Sequence, residues 1–293
     1  MYQYNFEKRY NKWETLSKGE IMMQIITQTL TTPLTKTAKL TGYVLDNTAE
    51  IDENRVRPAV VICPGGGYAF VSQREGQAIA NQMNAIGLQA FVLDYSCTPT
   101  HFPAQLAELA TAVKVIREHA NEWHVDPNKV IAMGFSAGGH LAGSLATMWN
   151  QPVLKDLGFD PEEIRPNALA IGYPVITSGE KAHRGSFDHL LGENPSAELL
   201  EQVSLEKQVS ADTPQTFMWQ TYEDQAVPVD NTIMFAQALR DHGVNCEYHM
   251  FPHGPHGLAL ASAETAANED QIVPAVQQWV GLFKTWVTTN VMD

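Results

Sequence analysis

A chain of 293 residues, 44% of them hydrophobic and 18% charged, carries enough apolar material to build the packed core of a single α/β domain. Its formal net charge of −14, without a basic run or an arginine stripe, excludes nucleic acid and anionic membrane surfaces as expected partners. Three widely spaced cysteines, Cys63, Cys97 and Cys246, show neither a disulfide framework nor zinc-type spacing, and read as free thiols in a reducing compartment.

The opening segment "MYQYNFEKRYNKWETLSKGEIMMQ" mixes charges and lacks the apolar stretch of a secretory signal, and no apolar run nears transmembrane length. The expected location is cytoplasmic. Codons for Lys18-Gly19-Glu20 can spell a purine-rich bacterial ribosome-binding site ahead of Met22 and Met23. Translation is therefore expected to start there, with residues 1–21 an extension.

Two early segments, "QIITQTLT" and "KLTGYVLD", are rich in β-branched residues and alternate in polarity, which predicts a pair of strands. "PAVVICP" (58–64) is continuously apolar, as a strand buried on both faces should be. A helix over "REGQAIANQMNAIG", a strand "LQAFVLDY" and a long helix "PAQLAELATAVKVIREHANEW" follow. Next come a strand "KVIAMGF" and a helix from Ala137 to about Trp149, then the strands "ALAIGYPV", "TFMWQTY" and "CEYHMF". A helix beginning near Val229 separates the last two strands, and one amphipathic helix over about 270–288 ends the pattern.

Alternation of this kind predicts an α/β fold with a mostly parallel eight-stranded sheet flanked by helices. Residues 177–214 break the rhythm with a polar, locally helical insertion, expected to form a small cap over the carboxyl ends of the strands. The whole chain reads as one domain.

The stretch "VIAMGFSAGGHLAG" (130–143) places Ser136 in a Gly-x-Ser-x-Gly pattern between a strand and a helix. Such a nucleophile elbow strains the serine backbone, and the glycines let strand and helix approach closely. The competing reading is a glycine-rich helix start with Ser136 as an ordinary N-cap. A serine hydroxyl needs a base and the base an orienting acid, in the chain order Ser, Asp or Glu, His. "TYEDQAVPVDN" follows the strand before the last and supplies Asp224, with Glu223 beside it expected to point elsewhere and Asp230 to sit at a helix start. "HGPHGLAL" follows the last strand and supplies His256 as base, with His253 the alternate. His140, one turn after Ser136, is expected to pack beneath the elbow. "ICPGGGY" places three glycines after the third strand, so the amides of Gly66 and Gly67, with that of Ala137, are assigned to an oxyanion hole.

These residues resemble the α/β-hydrolase superfamily, and within it the small esterases of acetyl-xylan-esterase and feruloyl-esterase-like type. The similarity runs from about residue 38 to the end through "PGGGY", "FPAQLAELATAVKVIREHA", "VDPNKVIAMGFSAGGHLA", "GSFDHLLG", "VPVDN" and "HGPHGLAL". It implies the α/β-hydrolase fold and the triad Ser136, Asp224 and His256. Cys63-Pro64 stands where hormone-sensitive-lipase relatives carry histidine, and Ser96 where relatives often carry arginine. The implied activity is hydrolysis of short acyl esters through an acyl-enzyme, on acetylated xylo-oligosaccharides or similar sugars, with no metal or organic cofactor.

Tyr68 is a candidate substrate contact beside the glycines. Trp219 reads as core. A general carboxylesterase is the alternative function, and a homodimer is compatible with the sequence. A prolyl-oligopeptidase-type peptidase would need a gating domain for which this chain lacks room. A non-catalytic ligand binder on this fold typically loses a triad member.

Overall fold

A computed structural model describes residues 23–292. Residues 1–22 and 293 lie outside the described residues, and with them the expectation about an alternative start. Eight strands form one sheet: β1 (Met23–Thr29), β2 (Lys39–Leu45), β3 (Arg57–Cys63), β4 (Gln89–Asp94), β5 (Val125–Phe135), β6 (Ala168–Gly172), β7 (Thr216–Thr221) and β8 (Cys246–Phe251). The order across the sheet is β1-β2-β4-β3-β5-β6-β7-β8. β2 runs antiparallel to both β1 and β4, and every pair from β4 to β8 is parallel. The expected sheet is present, strand for strand.

Among the described residues, eight α-helices lie between the strands, α1 (Gln77–Ala85), α2 (Ala104–Glu118), α3 (Ala137–Met148), α4 (Pro152–Lys155), α5 (Pro161–Ile164), α6 (Arg184–Leu191), α7 (Ala197–Gln202) and α8 (Asp230–Asp241), and two follow the last strand, α9 (Pro274–Gln277) and α10 (Trp279–Val287). The central strands divide their side chains between two cores, as the period of two demands. From β3, Ala59, Val61 and Cys63 enter the layer built with α2, α3 and α8. Val60 and Ile62 enter the opposite layer, with α1 and the Trp279, Phe283 and Trp286 face of α10. Trp219 is buried there as expected, stacked on Trp279 with ring centroids 5.5 Å apart.

Two features depart from expectation. The single helix expected over 270–288 is instead a 3₁₀ turn at Glu269–Gln271, then α9, then α10. Pro274 is the cause: it lacks the N–H that a continuing helix requires, and it sits where a new helix starts. Between α3 and β6, the short α4 and α5 each begin on a proline and went unread in the sequence. Among the described residues, no helix is long and apolar enough to cross a membrane.

The strand order fixes where a site can form. β3 connects outward to β4 on one side, and the chain then returns to β5 on the other side of β3. The sheet therefore has a switch point at the carboxyl ends of β3 and β5, where ligands bind in open α/β sheets. The glycine loop leaves β3 there, and Ser136 leaves β5 there.

Candidate active site

Ser136 joins β5 to α3 with φ 53° and ψ −123°, in the left-handed half of backbone space that a non-glycine residue rarely occupies. The turn is held on both sides. Ser136 N–H donates to the Gly172 carbonyl at 3.1 Å, and its own carbonyl accepts from Val175 N–H at 3.0 Å. The flanking glycines are required by space. A methyl group built at Gly134 would lie 2.0 Å from the Gly138 carbonyl oxygen, and one at Gly138 would lie 2.0 Å from the Cys63 carbonyl oxygen.

The N-cap reading of Ser136 fails, because its side chain makes no hydrogen bond to the first turn of α3. Its Oγ lies 2.8 Å from Nε2 of His256 instead. The other ring nitrogen, Nδ1, donates to Oδ2 of Asp224 at 2.7 Å, which fixes the proton on Nδ1 and leaves Nε2 to accept from the serine. The Asp224 carboxyl is fully buried and placed by its own loop. Oδ1 accepts from the amides of Ala226 and Val227 at 3.0 and 2.9 Å, and Gln220 Nε2 donates to Oδ2 at 3.3 Å.

The structure thus brings Ser136, His256 and Asp224 into one relay. His253 is left on the surface, paired with the outward-facing Glu223 at 3.0 Å. Asp230 begins α8.

The glycine loop lies across from the serine. Gly66 and Gly67 adopt φ 124° and 63°, and a methyl group at Gly66 would meet the Phe70 carbonyl oxygen at 2.0 Å. Neither amide donates to an acceptor among the described residues, and Ala137, first residue of α3, has an N–H with no preceding turn to receive it. Gly66, Gly67, Ser136 and His256 line or border one cavity of about 430 Å³. A larger, open depression of about 830 Å³ lies on the far side of His256 and does not reach Ser136.

Tyr68 does not line this cavity, and its assignment as a substrate contact is corrected. At φ 58° its side chain enters the core, 1% exposed, and its hydroxyl donates to His140 Nδ1 at 2.8 Å. His140 in turn donates from Nε2 to the Val203 carbonyl at 2.8 Å. It packs beneath the elbow as expected. Burial pushes its pKa down to about 4, only partly offset by the Val203 hydrogen bond.

The structure adds residues that the sequence did not single out. Glu75, 4% exposed, accepts from Gly65 N–H and from the Tyr173 hydroxyl, both at 2.6 Å. Arg74 donates to the carbonyls of Gly257 and Thr265, bracing the loop that carries His256. From the 177–214 segment, His183 and His189 line the cavity, and His189 Nδ1 donates to the Gly67 carbonyl at 3.0 Å. A carboxyl after the glycines and two histidines six apart in "HRGSFDHLLG" were the available signals.

The BD-FAE family model matches residues 45–239. Endo-1,4-beta-xylanase B of Butyrivibrio fibrisolvens is 40% identical over 215 residues, covering 71% of this chain and 33% of that protein. Acetylxylan esterase of Xylanibacter ruminicola is 30% identical over 236 residues, covering 78% of this chain and 46% of that protein. The chain therefore spans less than half the length of these relatives. The crystal structure of an acetyl ester-xyloside bifunctional hydrolase from Caldicellulosiruptor lactoaceticus superposes with a TM-score of 0.75 at 37% identity, over 86% of this chain and 88% of that one. With the elbow, the relay and the sheet order already in place, the match over most of the domain gives the affiliation: the chain belongs to the BD-FAE family, an α/β-hydrolase family.

Proposed function

We propose that the protein is a serine ester hydrolase acting on short acyl esters, with acetyl esters of xylo-oligosaccharides or similar sugars as its substrate class. The observation that carries this reading is the Ser136–His256–Asp224 relay, set opposite glycine amides that have no acceptor among the described residues. In the proposed reaction, Ser136 Oγ attacks the ester carbonyl while His256 Nε2 takes its proton, and Asp224 stabilises the imidazolium. The amides of Gly66, Gly67 and Ala137 receive the developing oxyanion, where loss of one donor costs roughly 10²–10³ in turnover. His256 then protonates the departing alcohol, and water activated by the same imidazole releases the acid from Ser136. The relatives named for acetylxylan and acetyl ester-xyloside hydrolysis support the sugar-ester class.

The test is acetate release from acetylated xylo-oligosaccharides beside hydrolysis of 4-nitrophenyl acetate and octanoate. Strong release from the sugars supports the reading in full. Activity confined to nitrophenyl esters leaves a general carboxylesterase, and equal activity in Ser136→Ala contradicts the serine mechanism.

A further inference from the structure

Phe70 is 62% exposed, a large aromatic ring left at the wall of the same cavity that holds Ser136 and His256. Facing this cavity from the cap are His183 and His189. His183 uses Nδ1 on the Ser186 hydroxyl at 2.8 Å, and His189 uses Nδ1 on the Gly67 carbonyl. Each Nε2 makes no hydrogen bond among the described residues. Both rings are therefore held in orientation by one nitrogen while the other remains available.

The charge state matters to what such a site prefers. Burial first, and then the neighbouring His256, lower the pKa of His183, so it faces the cavity as a neutral ring near pH 7. A neutral imidazole can donate or accept, as a hydroxyl can. An exposed phenyl face matches the C–H face of a pyranose ring. A lipid chain would leave the polar nitrogens unpaired and desolvated, which disfavours it.

His256 must lie beside the departing oxygen to protonate it, and His183 lines the same cavity as His256 and Ser136. An alcohol leaving beside His256 therefore departs into the space that His183 faces.

We infer that Phe70, His183 and His189 form the alcohol subsite and select a polyhydroxylated ring over an apolar alcohol. This rests on the proposed acyl-enzyme reaction and deepens it by naming the residues that choose the leaving group. Microscopic reversibility gives the assay. An acceptor alcohol seated there attacks the acyl carbonyl on Ser136 and gives its proton to His256 Nε2. The Ser136 ester bond breaks, and Ser136 Oγ takes that proton as the new ester departs.

The experiment forms the acyl-enzyme from 4-nitrophenyl acetate and measures partition of the acetyl group between water and an added alcohol, methyl β-xyloside or 1-hexanol. The ratio of transfer to hydrolysis is internal to each variant, so slower acylation does not disturb it. The wild type should favour the xyloside, and Phe70→Ala and His183→Leu should each lower the xyloside ratio by about tenfold, the equivalent of one lost hydrogen bond or stacking contact. Absence of xyloside preference in the wild type, or unchanged ratios in both variants, overturns the inference while a 4-nitrophenolate burst leaves the hydrolase reading intact. Absence of any Ser136-dependent burst removes the reading itself, and this inference with it.

Discussion

The Glu75 carboxyl and the Tyr173 hydroxyl, 98 residues apart in sequence, share a buried hydrogen bond of 2.6 Å. Through it the two loops that flank Ser136 become one unit. Glu75 also accepts from Gly65 N–H in the glycine loop, while the Tyr173 oxygen accepts from Ala259 N–H in the loop after His256 at 2.9 Å. Burial first, and then the Glu75 carboxyl, hold the Tyr173 pKa well above its ordinary value, so the phenol remains a donor. Glu75→Ala strands the Gly65 amide and loosens the loop whose amides are proposed to receive the oxyanion. Turnover should fall about 10²-fold with KM little changed, as expected when a transition-state interaction is lost. Glu75→Gln retains one acceptor oxygen and should recover part of that loss. Steady-state kinetics on 4-nitrophenyl acetate checks both, and a matching rise in KM alone would place Glu75 in ground-state binding instead.

Asp224→Asn should be far more damaging than its size suggests. Two backbone amides point at Oδ1, so the asparagine oxygen must turn toward them and present its NH₂ group to His256 Nδ1. That nitrogen then has to accept, which moves the ring proton to Nε2 and leaves Ser136 without a base. A fall in kcat on the order of 10⁴ is expected, by the tautomer argument that applies to other serine triads. A variant with near-normal kcat would show that Asp224 does not set the tautomer.

His140 gives the fold a defined sensitivity to acid. Its pKa in the folded protein is about 4, below the ordinary 6.5, so between those values the unfolded chain binds more protons than the native one. Stability from this group is complete above pH 6.5 and is lost as pH falls toward 4, by up to roughly 3 kcal/mol. Denaturant unfolding at pH 7 and pH 4.5 measures it. His140→Gln, which cannot titrate, should be less stable at pH 7 but show a flatter loss between the two values. An equal slope in both proteins would assign the acid sensitivity elsewhere.

The glycines of α3 and α10 should respond to alanine with opposite signs. Gly138→Ala drives a methyl group against the Cys63 and Pro64 carbonyl oxygens, at 2.0 and 2.4 Å, and both belong to the backbone. The helix must move off the sheet, at a cost of at least about 1–3 kcal/mol and with loss of the elbow geometry. Gly281, exposed in α10, would place a new methyl group within 4 Å of no described atom beyond its chain neighbours and the helix's own backbone. There alanine should stabilise by about 0.5–1 kcal/mol through helix propensity. Thermal unfolding of the pair separates the two, and a stable, active Gly138→Ala protein would contradict the close-packing account of the elbow.

Much of this architecture was legible in the sequence because its causes are local. Continuous apolar runs such as 58–64 mark strands covered on both faces, and the spacing of Gly134, Ser136 and Gly138 reflects contacts within one turn. Pro274 was local too, yet the amphipathic period continues across it, and the period alone reads as one helix. Tyr68 was misread because an aromatic after a glycine loop fits a cavity wall as well as a core. Its partner, His140, lies 72 positions away. Glu75 showed only as a carboxyl after the glycines: its value comes from Tyr173, which no spacing rule connects to it. His183 and His189 gain meaning only once folding brings them to the cavity that holds Ser136.

The central claim is that Ser136 carries the acyl group. Intact-protein and peptide mass spectrometry after mixing with 4-nitrophenyl acetate and rapid acid quench reads this directly. The account predicts one added acetyl group on the peptide containing Ser136, formed in a burst and absent from Ser136→Ala. Acetylation at another residue, or acetate release undiminished in Ser136→Ala, would contradict it.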